Sequence, residues 1–193
     1  MSTELESHRT AWALDASVAA ALVANYCDHV EHNEQVDRDW LETAGRMLRR
    51  TACEIAEREG RDLLSLYANR LRAIERRNPC FHEDGFNGGD RAEEATTWRQ
   101  LQLVQVEHDR HYHLDVIGLS KCDQLRHYSL HLAKLSGALA ELSRGGDSLD
   151  FLNRRLPDLL LFGVKLATVT GKTLPEQPLA TPSSRGQRQL AAA

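Results

Sequence analysis

Between Leu159 and Val169 the chain reads LLLFGVKLATV, a stretch that is apolar on nearly every side of a helix. A helix without a polar face has no side to offer water, so this one predicts a central rod with other helices packed around it. Pro157 stands just before the run and lacks a backbone donor, which predicts a kink or a fresh helical start at Asp158. Asp158 then becomes a carboxylate entering the core. Folding the chain back about the turn at Gly145 and Gly146 puts it level with Lys134 or Ala138.

Helical spacing recurs upstream. Val18, Leu22, Tyr26 and Val30 form one stripe, Trp40, Ala44, Leu48, Ala52 and Ile55 a second, and Leu64, Tyr67, Leu71 and Ile74 a third. Gly60 and the Asn78-Pro79 step punctuate them. A fourth helix is expected from about Arg91 to Tyr112, turning Trp98, Leu101, Val104 or Gln105, His108, and His111 or Tyr112 inward. A fifth starts at Ser120, whose hydroxyl caps it with Asp123 three residues on, and stops at Gly145-Gly146. Its inward stripe is Leu125, Tyr128, Leu132, Leu135, Leu139 and Leu142. No segment alternates as a strand does. The expected fold is an all-α antiparallel bundle of about six helices without a sheet, occupying residues 10–174. Residues 1–9 and 175–193 are expected to be unordered, and the Gly- and Asn-rich segment around 79–90 a loop.

A chain of 193 residues with 41% hydrophobic and 27% charged side chains suits one soluble domain. Its net charge of −4 argues against nucleic acid as a partner. Arg46, Arg49, Arg50, Arg70, Arg72, Arg76 and Arg77 read as solvated helix faces. No apolar run reaches the ~18 residues that cross a bilayer, and no signal-peptide stretch opens the sequence, so a cytoplasmic location away from membranes is expected. Cys27, Cys53, Cys80 and Cys122 contain no CxxC pair and read as free thiols, although Cys80 and His82 share a loop and could join a metal site.

Five of the nine histidines fall between His108 and His131. Imidazole titrates near neutral pH and is a common transition-metal ligand, so this concentration is where chemistry is expected. His127 and His131 are four apart on one helix face. The short connection from His113 to Leu119 predicts that helices four and five are antiparallel neighbours folding about Ile117. His108 then stands beside Arg126 and His127, with His131 a turn deeper. Glu107, His108, His127 and His131 would converge on one ion or substrate. Asp109, His111, His113 and Asp115 are weaker candidates, because the backbone state at the helix end is ambiguous. Three readings stay open: a metal site, imidazoles hydrogen-bonded for structure, and metal-free acid–base chemistry.

Residues 118–174, GLSKCDQLRHYSLHLAKLSGALAEL followed by LNRRLPDLLLFGVKLATVTGKTL, resemble the paired helices of the MazG-like all-α nucleotide pyrophosphohydrolases. That resemblance implies hydrolysis of a nucleoside triphosphate to the monophosphate and pyrophosphate, magnesium, and a homo-oligomer sharing its helices. The family holds its ion with Glu-x-x-Glu and Glu-x-x-Asp. The matching positions here read AKLSGA, from Ala133 to Ala138, and Arg155-Leu156-Pro157-Asp158, which leaves only Asp158. A lysine and an arginine there repel a cation, so the expectation is a rebuilt site for a small-molecule substrate. Its metal ligands would be Glu107, His108, His127, His131 and Asp158, favouring Mn²⁺, Fe²⁺ or Zn²⁺ over Mg²⁺. His108, Glu107 and Lys134 are the catalytic candidates, and Arg126 and Lys134 would steady substrate charge. The alternative is a non-catalytic helical module that oligomerises or docks, with its histidines as polar core contacts.

Overall fold

The computed structural model describes residues 2–37, 39–78 and 86–179, with side chains from Leu5 onward. The helices are α1 (Ser2–Glu31), α2 (Asp39–Arg58), α3 (Leu63–Arg77), α4 (Gly88–Glu93), α5 (Trp98–Tyr112), α6 (Leu114–Ile117), α7 (Lys121–Ser143), α8 (Ser148–Asp150) and α9 (Leu156–Val169). A π-helical turn, Phe151–Arg155, joins α8 to α9. Among the described residues there is no strand, only an isolated bridge between Thr97 and Pro178, so the fold is the expected all-α bundle. No helix there is long and apolar enough to cross a membrane.

The axis of the bundle is α9. Every residue from Leu156 to Ala167 is buried, as a helix without a polar face requires. Pro157 falls in its first turn, where a missing N–H removes no intrahelical bond. The helix therefore restarts at Leu156, and the wider π turn before it absorbs the break. Two glycines set how close α2 comes to this axis. A Cβ on Gly163 would stand 2.7 Å from Arg49 Cγ and 3.1 Å from the Gly45 carbonyl oxygen, while Arg49 Nη1 donates to the Gly163 carbonyl at 2.6 Å.

Along its length α1 runs antiparallel to α7, with Arg9 Nη1 donating to the Leu142 carbonyl at one end and Cys27 meeting Cys122 at the other. Its buried stripe is Trp12, Ala16, Ala19, Val23 and Cys27, whereas Val18 and Val30 from the expected stripe are 47% and 39% exposed. Small alanines bring neighbouring helices close. A periodicity weighted by large side chains misses them. In α7 the expectation holds: Ser120 accepts from the Asp123 N–H, the six inward residues from Leu125 to Leu142 are buried, and the chain turns at Gly145 with φ of +87°.

The helix expected over 91–112 is two. Thr97 and Gln100 form a capping box, Thr97 Oγ1 accepting from the Gln100 N–H and Gln100 Oε1 from the Thr97 N–H, and α5 starts there. Before it, Gly88 and Gly89 open α4 where a loop was expected. A Cβ on Gly89 would lie 2.3 Å from Arg72 Cγ and 3.0 Å from the Ala68 carbonyl oxygen, so only glycine lets α4 press onto α3. Cys80 and His82 lie outside the described residues. At the ends, helix α1 already includes residues 2–9, and residues 175–179 are held to the start of α5 by Trp98 N–H to Gln177 O and Leu179 N–H to Thr96 O. The rest of the tail, 180–193, is outside the described residues.

Helices α5 and α7, expected to pack as neighbours, diverge from the α6 turn: α7 lies chiefly on α1, and α5 lies on α9 and α4. Several arginines expected in solvent are instead clamps. Arg70 holds Asp158, and Arg72 holds Asp90 and Glu93.

Candidate functional site

Polar side chains enter the core from α5. Gln105, His108 and Asp109 are all buried. Asp109 Oδ1 accepts from Gln105 Nε2 at 2.8 Å and lies 2.8 Å from Lys165 Nζ of α9. Gln105 Oε1 in turn accepts from the buried Tyr67 hydroxyl of α3. Burial, and after it the Asp109 charge, pushes the Tyr67 hydroxyl well above its ordinary pKa, so it remains a donor. Lys165 is the one charged residue between Leu159 and Val169, and an ammonium in so apolar a helix requires a counter-ion. Asp109 supplies it.

His108 has no exposed surface. Its Nε2 is 3.7 Å from Glu75 Oε1 of α3, which also accepts from the Gly89 N–H at 3.1 Å. Neither ring nitrogen completes a hydrogen bond among the described residues. Burial, then the positive influence of His113 and Lys165, lowers its pKa to about 3; the Leu71 backbone pulls weakly the other way without reaching hydrogen-bond geometry. Gly88 closes α4 over the ring, where a Cβ would stand 2.8 Å from His108 Cδ2.

His113 sits where α5 ends, at φ −138° and ψ 36°. Leaving the helix turns its ring back to 6.0 Å from that of His108. Burial and then Lys165 lower its pKa to about 4, against the opposing pull of Asp109 and Asp115. The donor atoms of His108, Asp109 and His113 all lie within 4.8 Å of one another. Two neutral imidazoles and a carboxylate can hold a divalent transition metal. Ligands on one tetrahedral ion stand about 3.3 Å apart, so loading calls for side-chain shifts on the order of an ångström.

On α7, the rings of His127 and His131 are 4.8 Å apart, and His131 stacks on Phe162 at 4.9 Å. Burial lowers both, His131 to about 4. Lys165 lowers the pKa of all four imidazoles through its charge, but no direct contact joins this pair to His108 and His113 among the described residues. The other candidates stand apart too. Glu107 pairs with Arg110 at 3.2 Å and His111 at 3.8 Å, Arg126 pairs with Glu31 and Asp123, and Lys134 borders a separate hollow with Glu141 and Arg155. Both oxygens of Asp158 are taken by Arg70, at 2.5 and 3.2 Å. Burial raises its pKa even so. With no carboxylate at 133–138 and Asp158 so engaged, the pyrophosphohydrolase arrangement of magnesium ligands does not fit these residues.

Asp109 and Lys165 also line a cleft of about 340 Å³ between α5, α6, α7 and α9, together with Arg110, Lys121, Gln124 and Tyr128. Its walls carry more positive than negative charge. Sequence reasoning ranked Asp109 and His113 low and did not single out Lys165 or Glu75. A lone lysine inside a fully apolar helical run was the available signal for Lys165, and through it for an acidic partner. Nothing local marks Glu75. No family model, curated protein or solved structure matches the chain.

Proposed function

We propose that the chain is a metal-dependent hydrolase of a nucleotide or another phosphorylated small molecule, with the ion held by His108, Asp109 and His113. The observation that carries this reading is the mutual approach of those three donor groups, one of which, Asp109, also lines the cationic cleft. A bound divalent ion supplies Lewis acidity and an activated water. The chain's own part follows from its charges. Burial keeps His108 and His113 neutral at physiological pH, the state in which imidazole binds metal. Glu75 lies 3.7 Å from His108 Nε2, and a small shift would let its carboxylate take the N–H of a metal-bound ring. Lys165, which neutralises Asp109, would have to yield that carboxylate to a bound ion, and with Arg110 and Lys121 it lines the cleft where cations can face phosphate oxygens. The resemblance of residues 118–174 to nucleotide pyrophosphohydrolases adds support for the substrate class.

Elemental analysis of the purified protein, followed by a nucleotide-hydrolysis panel with Mn²⁺, Zn²⁺ and Mg²⁺, tests this. Replacing His108 and His113 together by Ala should remove metal and activity, while replacing His127 and His131 should leave the metal in place. One observation favours a second reading. Asp109 already has Lys165 and Gln105 as partners, as it would in a helical module whose polar core is structural, assembling through the outer face of α1 where Leu14 and Val18 are exposed. Protein that binds no metal and hydrolyses nothing would select it.

A further inference from the structure

Near the end of α1, Cys27 is packed against the first turn of α7 and is only 5% exposed. Its thiol donates to the Cys122 carbonyl oxygen at 3.8 Å, so the two cysteines are direct neighbours across the α1–α7 seam. We propose that Cys27 and Cys122 are a redox pair whose disulfide latches α1 to the first turn of α7, and with it one wall of the cleft. The proposal stands whether or not a metal binds nearby.

The seam is already in register on both sides of the pair. Lys121 Nζ lies over the Tyr26 ring at 5.2 Å, and Arg126 is ion-paired with Glu31. Bond formation would draw the sulfurs to ~2.05 Å within a seam whose helices already meet at this point. Lys121 and Gln124, one residue before and two after Cys122, both line the cleft. A cross-link at Cys122 restrains them directly.

The two sulfurs differ in access. Cys122 is half-buried and meets an oxidant first, whereas burial and the Cys122 sulfur push the Cys27 thiol up to about 12. With a low-molecular-weight disulfide such as oxidised glutathione, the Cys122 thiolate attacks one sulfur, its S–S bond breaks and one glutathione thiolate leaves. Cys27 then gives up its proton to that thiolate or to solvent and attacks Cys122 Sγ, expelling the second glutathione. Two protein thiols are oxidised and one small disulfide is reduced to two thiols.

The full chain is incubated with oxidised glutathione, and intact mass, non-reducing peptide maps and deuterium uptake are followed. The expected product has lost two hydrogens, joins the peptides bearing Cys27 and Cys122, and reverts with dithiothreitol. Deuterium uptake over residues 119–126 should fall. Because the bond spans 95 positions, Tm should rise by about 10–20 °C. Cys27→Ser should instead retain a single glutathione on Cys122. A glutathione that stays on Cys122 of the unaltered protein, pairing of Cys122 with Cys53 or Cys80, unchanged uptake over 119–126 after cross-linking, or no oxidation while iodoacetamide labels both thiols would each overturn the proposal.

Discussion

The imidazoles of His108, His113 and His131 have pKa values of about 3, 4 and 4, and in each case burial is the largest cause. These values lie below the ~6.5 of a solvated histidine, so as pH falls the unfolded chain takes up protons before the folded one does. The stability they contribute is complete above about pH 6.5 and is lost progressively as pH falls towards the folded values. Asp158, whose pKa burial raises, acts in the opposite direction. Thermal melts should therefore show a plateau near neutral pH and a falling Tm from about pH 6.5 towards 4. His131→Gln should flatten that fall. A profile that stays level in both proteins would show that these rings are solvated. At this scale the sequence localised the imidazoles between His108 and His131 but not their partners, because Glu75 and Lys165 reach His108 and Asp109 from other helices.

Two glycines inside helices have opposite roles. Gly163 of α9 touches α2 at backbone distance, whereas a Cβ on Gly137 of α7 would meet nothing within 4 Å. Gly163→Ala gains helix propensity of about 1 kcal/mol but overpacks the crossing by roughly 1–3 kcal/mol, for a net loss. Gly137→Ala, with no neighbour to strain, should gain roughly 0.5–1 kcal/mol. Urea unfolding of the two variants should move the midpoint in opposite directions, and a shared sign would mean that the α2–α9 crossing is loose. From sequence these are both single glycines in a helical pattern. The same limit explains α1, whose apolar residues permit more than one stripe, and where Trp12 with Ala16 and Ala19 turned inward. It does not apply to α7, where leucines at three- and four-residue spacing leave a single choice.

For the molecule as a whole, a ligand that binds only the folded chain must stabilise it. At a hundredfold excess over Kd the gain is about 2.7 kcal/mol, or a Tm rise of about 5–10 °C for a domain of this size. Titration with Mn²⁺ or Zn²⁺ should produce that rise, a chelator should reverse it, and the protein with His108 and His113 both replaced by Ala should show none. An equal shift in that double variant would move the ion elsewhere.

What the chain determined locally were its periods and stops: the apolar run of α9, the Ser120 cap of α7, the end of α3 at Asn78 and, from these, an all-α bundle. Such features follow from the spacing of side chains along one helix and from caps within a few residues. What only the packed molecule decided was which polar groups meet. The divergence of α5 from α7 opened the cleft, the exit of the chain from α5 at His113 turned that ring towards His108, and the buried ammonium of Lys165 took Asp109 as its counter-ion. Each depends on where separate helices cross, and that is set by the sum of many close contacts rather than by any one segment.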